Sequence, residues 1–262
     1  NALWVLDSGV PAYGKPPLPH ATKLVRFDLL TNSVTRVLEL PPETLRPKSL
    51  IGNIRFNDTH AYLTDSGAPG LVVIDLDNGK ARRLLDGDPS TTGQRPVVVD
   101  GAALKGPDSK PAMLHAAIEE VTPDGKFLYV QPTSGPLYRI PTSRLDDAAT
   151  SPQDLAGSVT FWYDAPSAGG SAIGPDGVLY LEDLEDDSVL SLSAGRELTT
   201  ILQDPRLHWP GAPSLRDGVL RMAVAQFDRV GIFHHGKSLV QFPLPLLALR
   251  VATEPPARAA RP

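Results

Sequence analysis

The sequence predicts an all-β fold, a six-bladed β-propeller whose N-terminal blade is incomplete in this chain. Short runs of β-forming residues alternate with turn residues, whereas almost no segment shows the 3.6-residue apolar period of a helix. Turn pairs recur at Asn57-Asp58, Asp124-Gly125, Asp176-Gly177 and Asp217-Gly218. Three or four strands per unit, with a period near 40–50 residues, are the signature of a propeller.

The clearest unit spans residues 53–85. It contains predicted strands at 54–56, 61–65, 71–76 and 81–85, and the breaks between them hold Asn-Asp, Ser-Gly-Ala-Pro-Gly and Asp-Asn-Gly. These residues tolerate positive φ or cap their own backbone, so they favour tight turns. The segment is therefore predicted to be a meander of antiparallel strands, and it serves as the template for the other units.

The other units follow the same order along the chain, and the long stretch 86–113 is predicted to be a loop. The predicted strands are at 2–7, 23–32 and 34–38; at 118–121, 126–131 and 137–140; at 171–173, 178–183, 189–192 and 198–202; and at 213–215, 219–225 and 246–251. The first unit lacks an inner strand, and a ring needs a partner for that edge. Either a preceding segment supplies a sixth blade or the ring has five blades; the start at Asn1 without Met favours the former.

Composition limits the classes of function. The 262 residues carry a net charge of −5, 41% hydrophobic and 21% charged residues, and no cysteine, which excludes disulfides, thiol catalysis and thiolate metal sites. The sequence has no basic stripe of the kind that binds nucleic acid, and it has no apolar run long enough to predict a membrane span. Residues 1–252 are predicted to form one domain, and 253–262, with Arg258 and Arg261, a Pro/Ala/Arg-rich tail. Oligomeric state cannot be predicted.

Five segments carry a resemblance to a known family. They are LWVLDSG (3–9), KLVRFDLLTN (23–32), AYLTDSGAPGLVVIDLDNGKARRLL (61–85), PDGKFLYVQPTSGPLYRIPTSRL (123–145) and QDPRLHWP (203–210). Together they resemble the yellow / major royal jelly protein family in its bacterial and fungal branch. The resemblance implies six blades with about one blade missing here, a secreted or extracellular location, and either dopachrome-type isomerisation or small-molecule binding in the central cavity. A more distant likeness to gluconolactonase propellers implies a metal-dependent lactonase.

In a propeller, the ends of the second strands and the starts of the inner strands share one face, where ligands usually bind. The predicted second-strand ends are Asp7, Asp65, Gln131, Asp183 and Gln226, and the predicted inner-strand starts are Asn53, Ala117, Gly169 and Gly211. The resemblance implies an acidic residue at each inner-strand start. Only Asn53 keeps a side-chain oxygen there, so we expect no metal or other cofactor, with a divalent cation such as calcium as the alternative.

The residues around this face favour an organic ligand. Small residues at 168–171 are expected to widen the pocket, while Trp209, Trp162 and Tyr163 in adjoining loops supply aromatic walls. The predicted ligand-binding residues are Asn53, Asp65, Gln131, Asp183, Trp209 and Gln226.

Proton transfer is assigned to Glu119, Glu120 and His115. A carboxylate in an apolar cavity has a raised pKa, which suits a general acid or base. Alternatively, both glutamates are solvated or paired with a basic residue. Asp65 and Asp183 have the alternative role of capping turns. His115 and His208 would in that case only form hydrogen bonds or face solvent. The acidic run 182–187 is interpreted as a solvated turn rather than a calcium loop, and His234 and His235 as surface residues.

The leading hypothesis is a metal-independent isomerase or cyclase of specialised metabolism that acts on a small organic molecule in the axial pocket. The alternatives are a non-catalytic secreted binding protein and a metal-dependent lactonase-like hydrolase. Nucleophilic catalysis has little support, because neither Asp-Ser-Gly segment lies in a G-x-S-x-G elbow.

Overall fold

The computed structural model describes residues 1–12 and 14–252; the predicted tail, 253–262, lies outside them. Within these residues the chain forms twenty strands: β1 (Ala2–Asp7), β2 (Lys23–Asp28), β3 (Ser33–Glu39), β4 (Ile51–Asn57), β5 (His60–Asp65), β6 (Gly70–Asp75), β7 (Ala81–Leu84), β8 (Val98–Val99), β9 (Ala102–Ala103), β10 (Ala116–Val121), β11 (Phe127–Pro132), β12 (Leu137–Pro141), β13 (Thr160–Tyr163), β14 (Ala168–Ile173), β15 (Leu179–Asp183), β16 (Ser188–Leu192), β17 (Leu198–Gln203), β18 (Pro210–Arg216), β19 (Val219–Val224) and β20 (Leu246–Arg250).

These strands form an all-β propeller with five blades in the described residues, not the six that the sequence predicts. Blade 1 is β1–β3, blade 2 is β4–β7, blade 3 is β10–β13, blade 4 is β14–β17 and blade 5 is β18–β20, each an antiparallel meander. The inner strands β4, β10, β14 and β18 contact one another in chain order. The predicted meander of residues 53–85 is blade 2, with every strand at its expected place.

The turn residues explain why the sequence folds into such short strands. Asp58 and Asp217 adopt φ of 47° and 52°, and Gly125, Gly177 and Gly218 adopt φ between 69° and 81°. Left-handed backbone of this kind reverses the chain within two residues, and Gly, Asn and Asp tolerate it best. The recurring Asp-Gly pairs therefore mark hairpins, as the sequence predicts.

An apolar cluster fills each interface between neighbouring blades. Blades 1 and 2 enclose Leu24, Leu63 and Ile74; blades 2 and 3 enclose Tyr62, Leu128 and Ile140; blades 3 and 4 enclose Tyr129, Leu137 and Leu181; blades 4 and 5 enclose Tyr180, Leu220 and Met222. Because adjacent residues of a strand face opposite neighbours, nearly every residue of β5, β6 and β15 is buried.

Two predicted loops prove to be structured. Residues 86–113 contain the hairpin β8–β9, and Val97 and Val99 pack against Leu184 and Trp209. The segment after β12 contains helices α1 (Thr142–Asp146) and α2 (Pro152–Ser158) and then the strand β13. Trp162 and Tyr163, predicted in loops near the pocket, therefore lie in the outer strand of blade 3, where the outer-strand pairing with β12 holds them. This part of the sequence prediction was wrong.

Three short 3₁₀ helices complete the described structure: Pro42–Thr44, Phe227–Arg229 and Gly231–Phe233. The last two follow β19, so His234 lies directly after a helical turn rather than in an irregular loop. Among the described residues, no helix has the length and apolar character required to cross a membrane.

Candidate functional site

A cavity of about 130 Å³ lies where the inner strands of blades 2 to 5 begin. Its lining residues come from the inner-strand starts and from the loops on the same face: Leu50, Ser66, Leu114, Ala117, Thr133, Ala168, Gly169, Trp209 and Phe227. Three of the predicted positions, Ala117, Gly169 and Trp209, thus meet in one cavity. We call this space the axial cavity.

Aromatic side chains form one wall of the axial cavity. Trp209 is 6% exposed, and its ring packs edge-on against Phe227 with 5.5 Å between ring centroids. Phe227 in turn packs against Phe233 at 5.6 Å. Chains of edge-to-face rings hold one another in place, so this wall is rigid before any ligand arrives.

The polar groups of the axial cavity are two hydroxyls. Ser66 and Thr133 follow the second strands of blades 2 and 3. Ser66 Oγ donates to the carbonyl of Leu50 at 3.2 Å, so it retains only its acceptor capacity. In the part of the chain that the structure describes, the Thr133 hydroxyl makes no hydrogen bond, which leaves it to bind a polar group of a ligand.

Of the small residues at 168–171, Ala168 and Gly169 line the axial cavity, and the two glycines also allow close packing. A Cβ on Gly169 would lie 2.2 Å from the carbonyl oxygen of Pro210, and one on Gly170 would lie 2.4 Å from Glu182 Oε2. The glycines therefore permit β14 to approach β18 closely. Ser171 points to the neighbouring blade, where its hydroxyl donates to Glu120.

Three predicted amide residues are engaged by the backbone. The Asn53 amide donates to the carbonyl of Ala117, and the Gln131 amide donates to that of Pro166 at 2.9 Å. Gln226 donates to the carbonyl of Gln241 at 2.9 Å, and its oxygen accepts from Arg229 and from the Gln241 N–H. None of these residues lines the axial cavity.

Asp65 is the centre of a buried network. Its carboxylate accepts from the N–H groups of Leu50, Gly67 and Ala68 and from Ser49 Oγ. Arg83 completes the network with an ion pair at 2.8 Å, in which both side chains are almost fully buried. These contacts match the turn-capping alternative and leave the carboxylate no position from which to bind a ligand.

Asp183 has a similar but weaker arrangement. Its carboxylate accepts from the N–H of Glu185 at 2.9 Å and from Ser188 Oγ at 3.2 Å. Burial raises the pKa of this carboxyl above its ordinary value despite both hydrogen bonds.

Glu119 and Glu120 occupy opposite faces of β10. Glu120 forms a two-bonded ion pair with Arg55 at 2.6 and 2.9 Å, so the paired alternative describes it. Glu119 lies opposite Val130 and faces blade 2; it is 1% exposed, and neither of its oxygens has a hydrogen-bond partner among the described residues. Burial raises the pKa of Glu119 well above its ordinary value and so favours the neutral form of this carboxyl.

His115 lies beside the axial cavity but does not line it. Its Nδ1 accepts from the N–H of Gly93 at 3.2 Å, which assigns the hydrogen of the neutral ring to Nε2. Burial lowers the pKa of His115 below its ordinary value. The structure thus holds His115 as a neutral imidazole near the cavity.

Other clefts are larger but lie away from the axis. One of about 440 Å³ is formed by blade 2 and the loop after β12, and its lining includes His60, Asp75, Arg82 and Asp146. Another of about 300 Å³ is lined mainly by prolines of residues 16–19 and 42–47. Neither cleft receives an inner-strand start, so the axial cavity remains the candidate site.

The sequence did not reveal every residue of this region. Ser66, Thr133 and Phe227 line the cavity without being predicted, although Ser66 and Thr133 directly follow predicted second strands. His208 was considered only as a lone histidine, yet the fold places it beside Asp100 and Asp187. The signal for such a cluster is absent from sequence spacing because its members come from three separate loops.

Comparisons with known proteins match this fold. The model of the family described as major royal jelly protein matches residues 1–203. Protein yellow of Drosophila pseudoobscura pseudoobscura is 34% identical over 90 residues, which cover 31% of this chain and 16% of that protein. Protein yellow of Drosophila melanogaster is 33% identical over the same shares. The chain thus matches about one sixth of the length of these relatives.

A solved structure shares the fold. A putative 6-phosphogluconolactonase from Bacteroides uniformis superposes with a TM-score of 0.51 at 13% identity, covering 85% of this chain and 61% of that one. At this identity the likeness concerns the propeller fold alone.

Proposed function

The chain belongs to the major royal jelly protein family, and from this premise we propose that it binds a small organic molecule in the axial cavity. The observation that carries the proposal is the combination of a preformed aromatic wall with the available Thr133 hydroxyl. Pockets that are mostly apolar with a few fixed polar groups suit organic ligands.

The size of the cavity indicates the class of ligand. An apolar cavity of roughly 150 Å³ accommodates benzene, and the axial cavity is about 130 Å³. A molecule with one aromatic ring and one hydroxyl or amine group fits, with the ring against Trp209 and the polar group on Thr133. Phenol is therefore the simplest probe.

Titration with phenol tests this function. We expect saturable binding that perturbs the fluorescence of Trp209, and loss of that binding in Ala117→Leu, because the larger side chain fills the cavity. Ala194→Leu in an exposed turn is the matched control and should bind as the wild type does. Equal binding by the wild type and Ala117→Leu would refute the proposal.

Catalysis of an isomerisation or cyclisation is a second proposal, favoured by one observation. Glu119 is a buried carboxyl whose pKa burial raises, and it lies two residues beyond Ala117, which lines the cavity. A ligand that reached Glu119 or His115 would meet a proton donor and a neutral base. The test is the decay of dopachrome absorption: Glu119→Gln should abolish any catalysed decay, and an unchanged rate would exclude Glu119.

The lactonase-like alternative requires a divalent ion at the axis. No carboxylate lines the axial cavity in the described part of the chain, so its donor set does not favour a hard cation. Hydrolysis of a lactone that disappears with chelator and returns with added calcium would revive this alternative.

We also propose a sixth blade beside blade 1. The face of blade 1 that points away from blade 2 carries two rows of apolar residues that pair across the strands. One row is Leu3, Phe27 and Val34, and the other contains Val5 and Val25. Leu3, Val5 and Val34 are 50%, 41% and 51% exposed, whereas monomers rarely leave such a contiguous patch open. In a longer form of the protein, Val5→Glu should destabilise the fold by burying a charge; no loss would contradict the sixth blade.

From membership of the family we also propose an extracellular location. Detection of the protein in culture medium of the source organism would support secretion, and detection only in the cell interior would contradict it.

A further inference from the structure

A second cluster of chemically active side chains lies outside the axial cavity. Asp100 is at the turn of the β8–β9 hairpin, Asp187 is in the turn before β16, and His208 immediately precedes Trp209. One ligand atom from each lies within 4.8 Å of the others. The three residues belong to three separate loops of the face that carries the axial cavity.

The distances suit a small divalent ion. His208 Nδ1 lies 3.6 Å from a carboxylate oxygen of Asp100 and 3.6 Å from one of Asp187. Ligands at 2.0–2.2 Å from a tetrahedral zinc ion lie about 3.4 Å apart. At 3.6 Å the two histidine–carboxylate pairs are too long for good hydrogen bonds and exceed the spacing around zinc by only a few tenths of an ångström. The Asp100 and Asp187 ligand atoms lie within 4.8 Å of each other.

Asp228 prepares the histidine for this role. Its Oδ2 lies 2.9 Å from His208 Nε2, and because a carboxylate can only accept, Nε2 carries the hydrogen. In the neutral ring this leaves the lone pair of Nδ1 directed at Asp100 and Asp187. A carboxylate behind a histidine is the usual outer support of a metal-bound imidazole.

The cluster also has an orphaned oxygen and an excess of negative charge. Asp187 Oδ1 is buried and has no hydrogen-bond partner in the described structure, and the same holds for Asp228 Oδ1. His208 itself is 5% exposed. Three carboxylates thus surround one imidazole, and a divalent cation would add positive charge between Asp100 and Asp187.

We propose that Asp100, Asp187 and His208 bind a divalent transition-metal ion such as Zn²⁺, and that the ion fastens the β8–β9 hairpin to the loops before β16 and β18. One nitrogen and two carboxylate oxygens suit such an ion better than calcium, which prefers oxygen ligands alone. The hairpin already packs on Leu184 and Trp209, so the ion would fix it beside Trp209, which lines the axial cavity.

Titration of tag-free, chelator-treated protein with ZnCl₂ and with CoCl₂ tests the site. We expect one ion per chain, visible absorption of tetrahedral Co²⁺, and a rise in melting temperature of about 5 °C at a hundredfold excess over the dissociation constant. Asp100→Asn and Asp187→Asn should each weaken binding at least tenfold. Asp100 is 58% exposed at its side chain, so its replacement leaves the fold intact.

Two controls separate this site from others on the surface. Asp186→Asn changes the exposed neighbour of Asp187 and should bind Zn²⁺ as the wild type does. His235→Gln should likewise have no effect. The proposal is overturned by the absence of stoichiometric binding, by binding that survives the Asp100→Asn and Asp187→Asn double variant, or by a preference for Ca²⁺ over Zn²⁺.

Discussion

Glu182 offers a quantitative test of the packing between blades 4 and 5. Its side chain is 1% exposed, neither oxygen has a hydrogen-bond partner among the described residues, and Oε2 packs directly against Gly170, where an added Cβ would clash with it. Burial raises the pKa of Glu182 from 4.5 to about 8. We therefore expect Glu182 to be protonated in the folded protein at pH 7 and ionised in the unfolded chain.

The direction of the effect follows from proton linkage. Between pH 4.5 and pH 8 the folded state keeps a proton on Glu182 that the unfolded state has lost. The free energy of unfolding is therefore highest below pH 4.5 with respect to this group, and it declines as the pH rises towards 8. For one group with these two pKa values, the loss between pH 5 and pH 7 is about 2.5 kcal/mol. Glu182→Gln cannot ionise and removes this term.

Urea unfolding at pH 5, 6 and 7 measures the pH-dependent contribution of Glu182 to the free energy of unfolding. The free energy of unfolding of Glu182→Gln, minus that of the wild type, should increase by about 2.5 kcal/mol from pH 5 to pH 7. Any constant cost of burying the amide is independent of pH and cancels from this change. Glu197→Gln, at an exposed position, is the control and should give a flat difference. A flat difference for Glu182→Gln as well would refute the assignment of a buried, neutral carboxyl.

Two further substitutions test the contacts that position the axial cavity. Asp65→Asn leaves the buried guanidinium of Arg83 with the partly exposed Asp86 as its remaining charge partner, and it weakens hydrogen bonds to a buried charged group. Chemical denaturation should therefore show a loss of about 1.5–3 kcal/mol; a loss below about 1 kcal/mol would contradict the network. Gly169→Ala forces a Cβ against the carbonyl of Pro210 and should lower the free energy of unfolding by about 1–3 kcal/mol. The control Gly157→Ala lies in α2 with open space around it, so calorimetry should show a neutral or stabilising effect. Equal effects of the two substitutions would show that β14 is not tightly packed.

The blades were predictable because the turns are local. Asp217 and Gly218 reverse the chain through their own backbone preferences, so each hairpin is marked by two residues of sequence. The outer strand β13 was missed because two short helices separate it from β12. The sequence signal in this segment belongs to α2 and not to β13: Ser151 precedes Pro152 at the start of the helix, and its Oγ accepts a hydrogen bond from the N–H of Asp154.

The site was predictable only in outline. The positions of Ala117, Gly169 and Trp209 followed from the geometry of the fold, since inner-strand starts converge in any propeller. The roles of the neighbouring polar side chains could not be predicted in this way, because they depend on contacts between segments that are distant in the sequence. Asp65 is engaged by Arg83, and Glu120 by Arg55 from the preceding blade, and no local pattern distinguishes a carboxylate held in this way from one available to a ligand.

The most direct test of the central claim is a crystal structure of this chain grown with phenol. We predict one phenol ring in the axial cavity, packed against Trp209, with its hydroxyl within hydrogen-bond distance of Thr133 Oγ1. The Ala117→Leu variant treated in the same way should show no ring there. An empty axial cavity in the wild-type crystal, or phenol bound only elsewhere, would contradict the proposal that this propeller binds small organic molecules at its axis.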